Sequence, residues 1–152
     1  MSAIALRDKL SALVGTFTVR ETLEPSPSMP DGGTATATSV TRMDCAGRFA
    51  VTDYTQLEHG EVVFAGHGVY GYDPHEDCYT MYWFDSATPG GFVNVARGSW
   101  QDDTLTFVRE SGEGWGRYTY KFADGGYAFR LERSSDGQEW STLMSSVYTP
   151  VP

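Results

Sequence analysis

His67 is the residue whose surroundings most suggest chemistry in this chain of 152 residues. It lies between Gly66 and Gly68 in an otherwise apolar segment, and the two missing Cβ atoms would let a ligand or another backbone approach the imidazole. The alternative is a half-buried histidine hydrogen-bonded across a sheet, with glycines that allow curvature. The sequence leaves open whether His67 shares a face with Trp83 or with Phe84, because the intervening turn sets that register.

Several aromatic side chains form a set that could line an apolar pocket. In such pockets ring faces contact the ligand and hydroxyl groups fix its orientation, while a guanidinium inside a barrel would need an anionic partner. The alternatives are core packing for the rings and a solvated surface position for the arginine. We predict that the ligand-binding residues are His67, Tyr70, Met81, Trp83, Arg117, Tyr118 and Tyr120.

Catalytic and metal-binding patterns are weak in this sequence. The polar group Asp73, His75, Glu76, Asp77 and Cys78 is typical of a solvated hairpin turn, and its spacing is not that of a zinc site. There is no Gly-x-Ser-x-Gly elbow, and the glycines at 112, 114 and 116 lie in a predicted hairpin rather than before a helix. We therefore predict no catalytic residue, no metal ligand and no cofactor.

Charge and composition exclude several partner classes. A formal net charge of -9 and a pI near 4.6 oppose binding to nucleic acid phosphates and to anionic membrane surfaces. No apolar run approaches the roughly 20 residues that cross a bilayer. Arg7, Asp8 and Lys9 interrupt what would be a signal peptide, so we expect a cytoplasmic protein whose Cys45 and Cys78 are reduced thiols.

The elements that must position these residues are mostly strands. Leu6, Leu10 and Leu13 recur at helical spacing after Ser2, which predicts a short helix within residues 1–13. Alternating aromatic segments separated by Gly, Asp and Pro then predict strands at 14–24, 34–45, 48–58, 61–73, 78–86, 91–101, 104–110, 115–123, 126–134 and 139–149. The chain is thus predicted to be all-β, one domain over residues 1–152, an antiparallel up-and-down barrel of about ten strands with the helix over one end.

The strand predicted at 78–86 carries large side chains on both faces. Tyr79, Met81 and Trp83 alternate with Tyr82 and Phe84. One face would then be covered from outside the barrel, by the helix or by a second subunit.

Five sequence blocks also carry a resemblance to a known family. They are Gly66 to Pro74, Trp83 to Ser86, Gly98 to Leu105, Arg117 to Tyr120, and Asp136-Gly137 with Trp140. In this order they resemble a bacterial domain-of-unknown-function family (1579 type), which is assigned to the lipocalin-like or calycin β-barrels. The resemblance implies a barrel with an internal cavity that holds small apolar molecules. In a related barrel family a C-terminal histidine binds haem, but no histidine follows His75 here, so we expect no haem.

Three functional hypotheses follow. The leading one is a cytoplasmic barrel that binds a small hydrophobic or amphipathic molecule in its cavity. The second is an enzyme acting on a small molecule in the lumen, with His67 as proton carrier, paired with Asp73 or Asp85. The third is a scaffold protein whose barrel is filled by its own side chains and which forms a homodimer through the strand at 78–86.

Overall fold

The computed structural model describes residues 2–91 and 94–152. A short helix, α1 (Ala3–Asp8), opens the described chain and continues into a 3₁₀ turn over Lys9–Leu13. The hydroxyl of Ser2 accepts a hydrogen bond from the Ala5 amide at 3.1 Å, which caps the helix N-terminus as predicted. Because the 3₁₀ turn has three residues per turn, Leu10 and Leu13 lie on one side of it, and both are fully buried.

Ten antiparallel strands follow in meander order and close into a barrel, which confirms the predicted fold class. The strands are β1 (Gly15–Leu23), β2 (Gly33–Asp44), β3 (Phe49–Glu58), β4 (Glu61–Asp73), β5 (Cys78–Asp85), β6 (Ala96–Gln101), β7 (Thr104–Ser111), β8 (Gly114–Ala123), β9 (Gly126–Ser134) and β10 (Ser141–Pro150). The ring is closed by β1, which pairs with β2 on one side and with β10 on the other, from Phe17 opposite Pro150 to Leu23 opposite Met144.

Tight turns with positive φ angles connect several of these strands. His59-Gly60 and Asp124-Gly125 have φ angles of 52°, 82°, 54° and 78°, as a type I′ hairpin turn requires at both central positions. Nine strands lie within about two residues of their predicted bounds.

The sixth strand was predicted too long. It begins at Ala96 rather than at Gly91, because Gly91 belongs to a turn in which its amide donates to the Thr88 carbonyl. Phe92 and Val93, also within the predicted strand, lie outside the described residues.

The two ends of the barrel differ. Residues 2–13 pack at the end that carries the turns after β2, β4, β6 and β8, which we call the capped end. There Leu10 and Leu13 join the main core cluster, and the Tyr79 hydroxyl donates to the Leu6 carbonyl at 2.5 Å. The other end, which we call the mouth, carries the connections after β1, β3, β5, β7 and β9, and no helix lies there in the described parts of the chain. Among the described residues, no helix combines the length and the apolar character needed to cross a membrane.

Candidate functional site

Burial of the inward-facing side chains changes along the barrel axis. In the middle of the barrel they are buried, as at Phe17, Leu105, Phe107, Tyr120 and Tyr127. At the rim of the capped end, inward-facing Tyr72, Trp100 and Phe122 are partly buried. Toward the mouth the inward-facing residues are only partly buried, as at Phe64, Trp83, Tyr118, Leu131 and Met144. The lumen is therefore packed in its middle, and solvent reaches the inward-facing side chains at the mouth; we call the space between these side chains the recess.

Glu21 is the charged residue that lies deepest in the wall of this recess. It continues the inward-facing series Phe17, Val19, Glu21 on β1 and is 5% exposed. Its carboxylate accepts one hydrogen bond from the Tyr54 hydroxyl at 2.8 Å and one from the Gln56 amide at 3.0 Å. Within residues 2–91 and 94–152, no Lys, Arg or His forms an ion pair with it. Its cross-strand neighbour on β10 is Ser146, which is 3% exposed.

Aromatic rings stand beside this carboxylate on β3, β4 and β5. The Tyr54 ring makes edge contacts with Phe64 and Trp83, at centroid distances of 6.0 and 6.4 Å. The Trp83 indole nitrogen donates to Asp85 Oδ2 at 2.8 Å, which fixes the orientation of the ring. Burial and the nearby Glu21 charge raise the pKa of Tyr54, so its phenol stays a neutral donor to Glu21. An acidic group and three ring systems thus share one part of the wall.

Trp83 explains the two glycines that flank His67. A Cβ atom added to Gly66 would lie 2.2 Å from the indole Cζ2, and one added to Gly68 would lie 3.0 Å from the indole Cε3. The glycines therefore let the indole lie flat against β4 inside the barrel. The sequence analysis interpreted the glycines as giving a ligand access to the imidazole. The structure shows that they make room for the indole on the opposite face.

His67 itself lies on the outer wall. It is opposite Phe84 on β5, so of the two registers left open by the sequence it shares a face with Phe84. Its Nδ1 lies 2.9 Å from Asp53 Oδ1, and Arg42 donates to the other oxygen of Asp53 at 3.1 Å. The hydrogen bond with His67, together with Arg42, holds the pKa of Asp53 below its usual value. This group faces solvent and does not reach the recess.

Arg117 also lies on the outer wall, between two partners. Its guanidinium donates two hydrogen bonds of 2.9 Å to Glu132 and lies 4.3 Å from the centre of the Trp140 ring. The pKa of Glu132 is lowered chiefly by this bidentate contact. Arg117 therefore links β8 to β9 and to the loop that follows β9. Its positive charge is paired with the carboxylate of Glu132.

Three predicted residues lie together beneath the recess. Tyr70, Met81 and Tyr120 are 3%, 4% and 5% exposed and belong to the main core cluster. The two phenol oxygens are 2.9 Å apart, and the Tyr120 hydroxyl also donates to the Met81 sulfur at 3.4 Å. Burial raises the pKa of Tyr70 to about 12, so this layer is neutral. It forms the floor of the recess.

Tyr118 stands on the opposite wall. Its strand, β8, is five strands away from β3 around a ring of ten, so Tyr118 faces the wall that holds Tyr54 and Gln56. Arg109 on β7 donates to the Tyr118 hydroxyl at 3.3 Å. The recess thus has a mainly acidic and aromatic wall and, across from it, a wall with an arginine and a phenol.

Sequence reasoning missed Glu21, Gln56 and Ser146. A signal for Glu21 was present, because it occupies the third position of an alternating series that begins with Phe17 and Val19. A charged residue on the apolar face of a strand is unusual. Gln56 and Ser146 lie in strands with many polar residues on both faces, so their inward direction depended on the register.

The turn at Asp73 is a capped hairpin. Asp73 Oδ1 accepts hydrogen bonds from the amides of His75 and Glu76 at 2.9 and 3.3 Å, and these lower its pKa. Cys45 and Cys78 are both free.

Shallow clefts also occur on the outer wall of the barrel, away from the recess. One of about 360 Å³ lies across β1, β10, β9 and β8 and is lined by Arg20, Lys121 and Arg130 beside small residues such as Ala128. Arg130 is already engaged there with Glu132 at 3.3 Å. Most residues that line this cleft face outward, although Phe129 and Ser146 also contribute to it, and two of its three cations, Arg20 and Lys121, are exposed.

Comparison with known proteins gives a fold and a family. The crystal structure of Rv2717c from M. tuberculosis is similar, with a TM-score of 0.65 and 12% sequence identity over 95% of this chain and 96% of the other. At that identity the likeness is one of fold. No curated protein sequence matches. The model of the family described as "Protein of unknown function (DUF1579)" matches residues 4–149. Because that match spans nearly the whole barrel and its N-terminal helix, the chain belongs to this family.

Proposed function

We propose that this protein binds a small hydrophobic or amphipathic molecule in the recess at the mouth of its barrel. The apolar part of the ligand would contact Trp83 and Phe64 on one wall and Tyr118 and Leu131 on the other. Tyr70, Met81 and Tyr120 would form the floor on which it rests.

The observation that carries the proposal is the change in burial along the barrel axis. Phe64, Trp83 and Tyr118 point inward, yet water reaches them, while the rings beneath them in the middle of the barrel, such as Tyr70 and Tyr120, are buried. Apolar side chains that converge on a wet recess are typical of a ligand pocket, because a bound molecule would remove their surface from water. The resemblance to lipocalin-like barrels, whose cavities hold small apolar molecules, supports the same function.

His67 and Arg117 are not part of this proposed site, although the sequence analysis included them. Their side chains leave the outer wall and contact Asp53 and Glu132. A lumen enzyme with His67 as proton carrier therefore has no geometric support. A cytoplasmic location, expected from the charged N-terminal segment, belongs to the same proposal.

A second candidate is a homodimer formed through the outer face of β5. Tyr82 and Phe84 project outward there and are 46% and 51% exposed. This pair lies outside the barrel, so dimer formation and ligand binding in the recess would be compatible.

A neutral fluorescent probe can test the binding proposal. N-phenyl-1-naphthylamine carries no charge at neutral pH and brightens when it leaves water, so we expect saturable enhancement with one probe per chain. In the Met144→Trp variant an indole would occupy the recess from β10, and we expect affinity to fall about tenfold or more. Fluorescence titration measures both.

The matched control is Val147→Trp, which places the same side chain on the same strand but on the outer face, where Val147 is 56% exposed. Its probe affinity should equal that of the unmodified protein. Absence of saturable enhancement, or an equal loss in both variants, would contradict a site in the recess.

A further inference from the structure

We propose that the polar end of the ligand is a protonated amine, which the carboxylate of Glu21 binds inside the recess. This inference rests on the proposed function, because it assigns a ligand class to the same site. It is argued from the contacts of Glu21, from Ser146 and from the surrounding rings.

The first step is the burial of an acidic group without a cation. Glu21 is 5% exposed, and its hydrogen-bond partners, Tyr54 and Gln56, are neutral. A carboxylate taken out of water without a positive partner is costly, and two neutral donors offset only part of that cost. A carboxylate has about four lone-pair sites, so Glu21 can accept further hydrogen bonds from a ligand.

Ser146 supplies the second, independent observation. Its hydroxyl oxygen is buried and has no hydrogen-bond partner among residues 2–91 and 94–152. It is the inward-facing cross-strand neighbour of Glu21, so the two side chains project side by side. A buried hydroxyl without a partner is also costly, and a ligand with several N–H donors could satisfy Glu21 and Ser146 together.

The rings near Glu21 favour a cation for a separate reason. Tyr54 lies between Phe64 and Trp83, and Tyr148 is the next inward-facing residue after Ser146 on β10. Aromatic faces attract ammonium groups within about 6 Å, and the attraction grows when the site is desolvated. Burial raises the pKa of Tyr148, with smaller contributions from Tyr127 and Glu21, so this phenol stays neutral beside the acidic group.

Two arginines at the mouth favour a different head group, a carboxylate, and must be weighed against the proposed amine. Arg109 and Arg133 occupy inward-facing positions of β7 and β9, and a ligand carboxylate could bind there. Arg133 is exposed and Arg109 is only partly buried, whereas Glu21 is buried. Charge interactions strengthen as water is excluded, so the deeper charge should decide which head group binds.

The test is a matched set of three probes with the same chain: n-octylammonium, 1-octanol and octanoate, titrated by calorimetry at neutral pH. We expect octylammonium to bind at least about tenfold tighter than either of the others. In Glu21→Gln the preference for octylammonium over octanol should disappear, while octanol affinity should change less than about twofold. Ser146→Ala should weaken octylammonium selectively and by a smaller factor.

The control is Glu76→Gln, which makes the same charge change in an exposed turn at the capped end and should leave the preference intact. If octanol or octanoate binds as tightly as octylammonium, the inference is wrong while the proposed function stands. If none of the three binds, both are wrong. If Glu21→Gln does not fold, the three affinities of the unmodified protein and of Ser146→Ala decide the question.

Discussion

At the scale of single residues, Trp83 shows how one side chain determines the sequence around another strand. Its indole is held by Asp85 at one end and lies against β4, where only hydrogen atoms at Gly66 and Gly68 leave room for it. The ring consequently stands in the recess at a fixed angle. The glycine-histidine-glycine motif is thus explained by the residue that packs on its inner face.

Gly66→Ala tests this packing. The new Cβ would lie 2.2 Å from the indole, which is closer than atoms can approach, so the ring or the strand must move. We expect the free energy of unfolding to fall by about 1–3 kcal/mol, as in other overpacked sites. Urea denaturation followed by circular dichroism measures the change.

Gly112→Ala is the matched control, because a Cβ there meets no atom within 4 Å and its φ angle is not in the left-handed region. Its stability should change by less than about 0.5 kcal/mol. Equal stability of Gly66→Ala and the unmodified protein would show that the indole does not need the glycine.

Whether a side chain points into or out of the barrel could be predicted from the sequence only where apolar and polar residues alternate strictly. Tyr118 and Tyr120 were correctly placed on one face because polar residues separate them. The direction of His67 could not be derived, because it depends on how β4 pairs with β5 across a four-residue turn at 74–77. A shift of one residue in that pairing would have placed the imidazole on the same face as Trp83.

At the scale of elements, the N-terminal helix depends on the barrel for its stability. Six residues of α-helix are too few to be stable in water by themselves. Leu10 and Leu13 supply the missing stability, because they are 0% and 1% exposed and pack against the main core cluster. The helix in turn covers the rings at the capped end.

Leu10→Ala should therefore destabilise the whole barrel and not the helix alone. Removing a fully buried leucine side chain from a packed core costs about 2–5 kcal/mol. The midpoint of urea unfolding should fall accordingly. Ile4→Ala is the control on the same segment, since Ile4 is 62% exposed and its removal should cost less than about 0.5 kcal/mol. Similar losses in the two variants would indicate that the segment does not cap the barrel as described.

Most strands could be predicted because Gly, Asp and Pro mark the turns that separate them. The connection between β5 and β6 is the exception, since it runs from Ser86 to Val95 and its turn at Thr88 to Gly91 does not lead directly into the next strand. Its apolar residues resemble a strand in sequence, and only the pairing of Ala96 with Met81 shows where the strand begins. Long connections are less predictable than hairpins because no local turn chemistry fixes their ends.

At the scale of the whole molecule, closure of the barrel gives every strand two neighbours, although β5 pairs with β6 only from Tyr79 to Met81. Closure leaves few strand edges for pairing with another chain, so assembly is expected to use side chains on the outer wall. The sequence predicted large side chains on both faces of the strand at 78–86. The structure places Tyr79, Met81 and Trp83 inside the barrel and Tyr82 and Phe84 outside it. The inner set lies within the barrel, with Trp83 at its mouth, and the outer pair is the surface that the second candidate function would use.

The homodimer hypothesis makes a prediction about mass. Tyr82 and Phe84 lie near His67, Asp53 and Arg42, so the face combines apolar rings with both signs of charge and could pack against its own copy across a two-fold axis. Under this hypothesis sedimentation at tens of micromolar protein gives a dimer, and Phe84→Ser gives a monomer because the central apolar contact is lost.

Val147→Ser is the control for this experiment, since Val147 is as exposed as Phe84, at 56% against 51%, but lies on β10. It should leave the mass unchanged. A monomeric unmodified protein would remove the dimer from consideration. Probe binding in the recess would be unaffected by that result, because the two surfaces lie on opposite sides of the same strand and share no side chain.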